Sequence, residues 1–147
     1  MQTEDMTNIP ADTLVLDSRL TELSRAQAWG EALAVRLSLC ERTRYAILLC
    51  LEESLANVVL HGYRGRPGSP IVLRSWLEED VLFVAIEDQA APFAPAEPGS
   101  DPEAPAELES MIPGGYGIGL LRHFAKSLHY ERLAGGNRLT MGFSIRA

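Results

Sequence analysis

The sequence is short of cations. Among its 147 residues, 13 lysines and arginines face 20 aspartates and glutamates, a formal net charge of −7. A nucleic-acid binder needs a basic face to meet phosphate, so this balance argues against one. No unbroken run of about 18 apolar residues occurs, and no membrane span is expected. The first residues, MQTEDMTNIPADT, lack both the basic start and apolar run of a secretory leader and the arginines of a transit peptide. The expectation is a soluble cytoplasmic protein. Cysteine is scarce as well. Cys40 and Cys50 match neither a CxxC redox pair nor a zinc spacing, and both are expected as buried free thiols. His61, His123 and His129 lack the paired spacing of zinc ligands, so no protein-held metal cluster is indicated. There is no G-x-x-x-x-G-K-[ST] phosphate loop and no G-x-G-x-x-G after an opening strand, which disfavours two common nucleotide folds.

What is present suits one compact domain over residues 1–147. Hydrophobic residues make up 46% of the chain, and a chain of this length buries a core without disulfides. Residues 13–18 read as a first strand. The three- and four-residue spacing of Leu20, Leu23, Ala26, Leu33 and Leu37 predicts an amphipathic helix from Arg19 to Leu39, with Gly30 a weak point inside it. A second helix is expected from Glu41 to about His61, stopped by the Gly- and Pro-rich run that follows. Strands at 71–78 and 81–88 flank Glu79-Asp80 and predict a hairpin. Residues 90–113 hold six of the nine prolines and five acidic residues, without lysine or arginine. Such a piece is no regular helix or strand along its length, and a long loop inside a domain is read as a lid. The glycine cluster then runs straight into a helix over 114–128, and strands at 128–133 and 138–146 form a second hairpin. The order predicts an α+β fold, helices layered on one face of a mainly antiparallel sheet.

Polar groups interrupt this apolar pattern at telling places. Glu53, Asn57 and His61 follow at four-residue intervals, and a helix turning about 100° per residue lines them up as one ridge. The ridge reads either as an inert solvated side or as a working surface. An amide in mid-helix has poor propensity and wants a local reason. Its oxygen is a hard neutral ligand suited to Mg²⁺, and a carboxylate one turn away is placed to take a proton from a hydroxyl. Four glycines in residues 114–119 form either a flexible turn or a backbone cradle for phosphate. Asp88, closing a strand, either opens a turn or accepts the exocyclic amine of adenine.

Together and in order, E-x-x-x-N-x-x-x-H-G-Y (Glu53 to Tyr63), the strand-end acid Asp88, P-F-x-P (Pro92 to Pro95), G-x-G-x-G-L (Gly115 to Leu120) and G-N-R-L-T (Gly136 to Thr140) resemble a known family. It is that of the anti-sigma-factor serine/threonine protein kinases, a branch of the histidine-kinase-like ATPases. The resemblance implies a two-layer α/β sandwich of the Bergerat type binding ATP and Mg²⁺. It implies Glu53 as general base, Asn57 as Mg²⁺ ligand, His61 facing phosphate, and Asp88 on the adenine amine with Thr140 in support. Gly115, Gly117, Ile118, Gly119 and Leu120 would shape the backbone around the phosphates, and 90–113 would be the ATP lid. The implied partners are an anti-anti-sigma (STAS-domain) protein, a sigma factor and a second copy of the chain. One departure stands out: Ala90 occupies the position where the family has glycine after the acid. A methyl group there, beside an acidic lid, would narrow the pocket. The alternative it favours is a non-catalytic partner-switch module with weak or no nucleotide binding.

Overall fold

The computed structural model describes residues 12–92 and 118–146. Most of the expected lid, and with it Gly115 and Gly117, lies outside the described residues. Five strands make one antiparallel sheet: β1 (Asp12–Asp17), β2 (Pro70–Glu78), β3 (Val81–Asp88), β4 (Ser127–Leu133) and β5 (Gly136–Ser144), in the order β1-β2-β3-β5-β4. Helices α1 (Leu23–Arg36), α2 (Glu41–Asn57) and α3 (Ile118–Phe124) accompany it. Strand alternation decides which side chains meet the helices. Leu73, Leu82, Val84, Ile86, Met141 and Phe143 are buried against Ile47, Leu51 and Leu55 of α2. This is the α+β two-layer arrangement expected.

The element ends differ from the sequence reading for local reasons. Before α1 comes a tight turn of 3₁₀ type, Leu20–Glu22, tied by the Glu22 carboxylate to the Asp17 N–H at 2.8 Å. The helix stops at Arg36 because Ser38 turns left-handed, φ 54°. Gly30 is no weak point. A Cβ there would stand 2.9 Å from Leu48 Cδ2 and 3.0 Å from Leu51 Cδ1, so its bareness is what lets α1 lie close on α2. Helix α3 is shorter than expected because the sheet captures the chain: Ala125 N still bonds Leu121 O, but Lys126 N donates to Gly142 O instead. Both hairpins form, with Glu79 left-handed at φ 55° in the first. The 22-residue helical run Glu41–Gly62 is by length and composition apolar enough to cross a bilayer. A search for unbroken apolar runs misses it because charges punctuate it, and in the fold its apolar face lies on the sheet. Cys50 is buried as expected, with its thiol pushed up to about 12 by burial and then by the Glu53 charge. Cys40 is exposed, because it stands ahead of α2 rather than within it.

Candidate functional site

Where β3 ends and β5 begins, the sheet buries a carboxylate and an amide side by side. Asp88 pairs in register with Asn137, and the two are 5% and 1% exposed. Burying these groups is costly unless they are hydrogen-bonded. Asn137 Nδ2 donates to Asp88 Oδ1 at 2.8 Å, and the Ala90 N–H donates to the same oxygen at 2.9 Å. The Asn137 carbonyl accepts from Tyr130 Oη at 2.5 Å and Arg132 Nη1 at 3.2 Å. Both bonds to Asp88 fall on Oδ1, which leaves Oδ2 an unused acceptor among the described residues. Burial raises the Asp88 pKa above the usual carboxylate value, while the Asn137 amide, the Ala90 N–H and the Arg132 charge pull it back.

Gly136 makes this approach possible. A Cβ at that position would sit 1.8 Å from the Asp88 carbonyl oxygen, so no other residue lets the strands close here. Ala90 fits its place. It is buried, its φ is not positive, and its carbonyl accepts from Arg132 Nη1 at 3.0 Å. The backbone at this alanine therefore needs no glycine and helps to hold Asp88.

Facing Asp88 is the C-terminal end of α2. Asn57, Ser54 and Val58 share a cavity with Asp88, Asn137 and Leu121. Its enclosed volume is about 20 Å³, room for about one water. A space of this size admits the edge of a small molecule, not its bulk. Asn57 is half-buried, and its amide has no hydrogen-bond partner among the described residues. Glu53, one turn earlier, is also half-buried and does not line the cavity. After Asn57 the helix widens into a π turn, Val58–Gly62. Such turns take more residues per revolution and recur at functional sites. His61 lies within this turn. His61 is exposed and apart from the cavity. Tyr63 explains the last letter of H-G-Y: its hydroxyl donates to Pro70 O and accepts from Gln89 N, each at 2.7 Å, pinning the π turn beside Asp88.

Thr140 is a correction. Inward positions on β5 are odd-numbered, namely Asn137, Leu139 and Met141, so Thr140 points through the sheet to its outer face with Arg74 and Trp76. The supporting role expected of Thr140 falls geometrically to Asn137, inside the same G-N-R-L-T stretch. The signal was present as the glycine before it, but strand parity could not be read without the register. Leu121, fully buried, walls the cavity and was not foreseen. Ile118 begins α3, Gly119 is exposed and Leu120 half-buried in its first turn. No cluster of three or more metal-type side chains exists among the described residues.

The model of the histidine kinase-like ATPase domain family matches residues 16–143. Serine/threonine-protein kinase BtrW of Bordetella bronchiseptica is 37% identical over 134 residues, covering 88% of this chain and 91% of that one. Among solved structures, the RsbU and RsbW domains of Rv1364c from Mycobacterium tuberculosis superpose with a TM-score of 0.62 at 16% identity. That match takes in 93% of this chain and 32% of the other, so the chain spans about a third of that protein and shares its fold. With the strand-end acid, the amide on α2 and the two-layer sandwich in place, the chain belongs to the histidine kinase-like ATPase family, beside a serine/threonine-protein kinase relative.

Proposed function

We propose that the chain is an ATP- and Mg²⁺-dependent serine/threonine protein kinase of the anti-sigma-factor type, acting in the cytoplasm as a homodimer. Its substrate is a hydroxyl on a STAS-domain anti-anti-sigma protein, and its second partner is a sigma factor, so that phosphorylation switches partners and regulates transcription. One observation carries the reading. A single cavity is lined by both Asp88 and Asn57, and Asp88 Oδ2 and the Asn57 amide have no hydrogen-bond partner among the described residues. The kinship with a named serine/threonine-protein kinase supports it.

Each residue then has a physical task. Ionised Asp88 accepts the amine of adenine, a charge-assisted bond in a nearly dry site. Asn137 and the Ala90 N–H fix the carboxylate plane so that Oδ2 is the atom presented. The Asn57 oxygen is a hard neutral donor that would hold Mg²⁺, which when bound neutralises phosphate charge. Glu53, on the same helix side, takes the proton of the substrate hydroxyl. By the resemblance of G-x-G-x-G-L, Gly115, Gly117 and Gly119 would offer backbone N–H groups to phosphate, and His61 is exposed to solvent.

The test is transfer of label from γ-labelled ATP to a purified STAS-domain protein. Wild type transfers label, and Glu53→Ala binds ATP but does not transfer it. Equal transfer by both proteins removes Glu53 as the base. The narrowness of the cavity at Asp88 favours a second reading, a partner-switch module with weak or no nucleotide binding. Under that reading Asn57→Ala captures its partner as wild type does, whatever the ATP concentration.

A further inference from the structure

The far end of α2 carries a second cavity, of about 340 Å³, between its N-terminal turn, the end of α3 and the end of β5. Arg42, Lys126 and Arg146 stand around it, and no described carboxylate lines it. Arg146 pairs with Asp80 at 2.7 Å. Arg42 and Lys126 have no carboxylate partner among the described residues, although the chain as a whole carries −7. A protein with surplus acid has ample means to neutralise two exposed cations. Two cations around one concavity with no carboxylate beside them among the described residues focus a positive potential there. The floor is apolar: Phe143 is buried, and Phe124 is half-buried, edge-on to the His123 ring at 4.8 Å.

We propose that this cavity docks an acidic segment of a partner protein, with carboxylates on Arg42 and Lys126 and an apolar side chain on Phe124 and Phe143. Charge complementarity names the sign of the partner, and the floor names the rest. A small anion would use the cations and leave the aromatic floor bare. A nucleic acid would need a longer run of phosphate contacts than these two cations supply. The surface stands independently of the nucleotide reading, yet one helix borders both places. Leu121 of α3 walls the cavity at Asp88, and Phe124, one turn on, lines this one.

Cys40 lines the same cavity and is exposed, its thiol held below the usual range by the Thr43 hydroxyl. Alkylation of Cys40 by a maleimide on the whole chain therefore reports docking, while buried Cys50 stays silent. The probes are a short peptide of glutamates flanking one phenylalanine, the same peptide with glutamine for glutamate, and inorganic phosphate. For each protein the readout is the ratio of alkylation rates with and without probe, which removes any change in basal thiol reactivity. The glutamate peptide should slow wild-type alkylation saturably and salt-sensitively, and the other two probes should not. The double variant Arg42→Glu with Lys126→Glu should need about tenfold more peptide or greater, and Arg42→Gln with Lys126→Gln, milder for folding, should lie between. No protection of wild type, equal protection of the charge-reversed protein, or phosphate protecting as well as the peptide would each overturn the proposal.

Discussion

The two ends of α2 treat charge in opposite ways. At the C-terminal end, Asp88 is buried and hydrogen-bonded to Asn137 and Ala90, with one oxygen left over. At the N-terminal end, Arg42 and Lys126 are exposed and have no carboxylate partner among the described residues. A buried charge is expensive and has to be positioned by its neighbours, so it suits recognition of one atom of a small ligand. An exposed cation costs little and binds loosely, so it suits steering and docking of a larger partner. The same helix thus presents a rigid, specific end and a permissive one.

Predictions follow from breaking each end. The largest effect is expected at Glu53: Glu53→Ala should lower phosphate transfer by about 10²–10⁴-fold, read by γ-labelled ATP, with nucleotide affinity retained. Gly136→Ala attacks the scaffold of the rigid end. It drives a methyl into the Asp88 carbonyl and should cost about 3 kcal/mol or more of stability in urea unfolding. Asn137→Ala removes one of the two donors on Asp88 Oδ1 and should weaken ATP binding by roughly tenfold, in the range of a hydrogen bond to a charged group. Thr140→Val, on the outer face, should leave ATP affinity unchanged, and an equal loss in both variants would void the assignment of sheet faces.

A smaller effect concerns pH. Asp88 must be ionised to accept an amine, and burial raises its pKa above 3.8. ATP affinity should therefore begin to fall, on acidification, at a higher pH than for an ordinary aspartate. Stability moves the other way. A carboxyl raised in the folded state binds its proton more tightly there than in the unfolded chain, so its contribution is fully present below the unfolded pKa and is lost as pH rises through the folded one. Parallel pH series of ATP titration and urea unfolding, in wild type and Asp88→Asn, separate the two trends.

Much of this was legible in the sequence. The four-residue step from Glu53 to Asn57 put both on one side of a helix, and Asp88 declared itself by closing an apolar strand. The two hairpins were written in Glu79-Asp80 and in the glycines at 135 and 136. Other features needed three dimensions. The π turn after Asn57 is a packing outcome, and no helical periodicity announces it. Whether Asn137 or Thr140 faces Asp88 turns on strand parity, which the Gly136 contact sets. Helix α3 keeps an apolar period past its end, but hydrogen bonding to β5 outweighs propensity from Lys126 onward. Cys40 lies among leucines, yet a position just ahead of a helix is outside the packed face.

The most direct test of the central claim is a calorimetric titration of wild type and Asp88→Asn with ATP and with GTP, in magnesium. Guanine carries a carbonyl oxygen where adenine carries its amine, so a free carboxylate oxygen accepts from one and repels the other. Saturable binding of ATP, little of GTP, and loss of ATP binding in Asp88→Asn is the predicted result. Equal binding of the two nucleotides by wild type, or ATP binding undiminished in Asp88→Asn, would contradict the account.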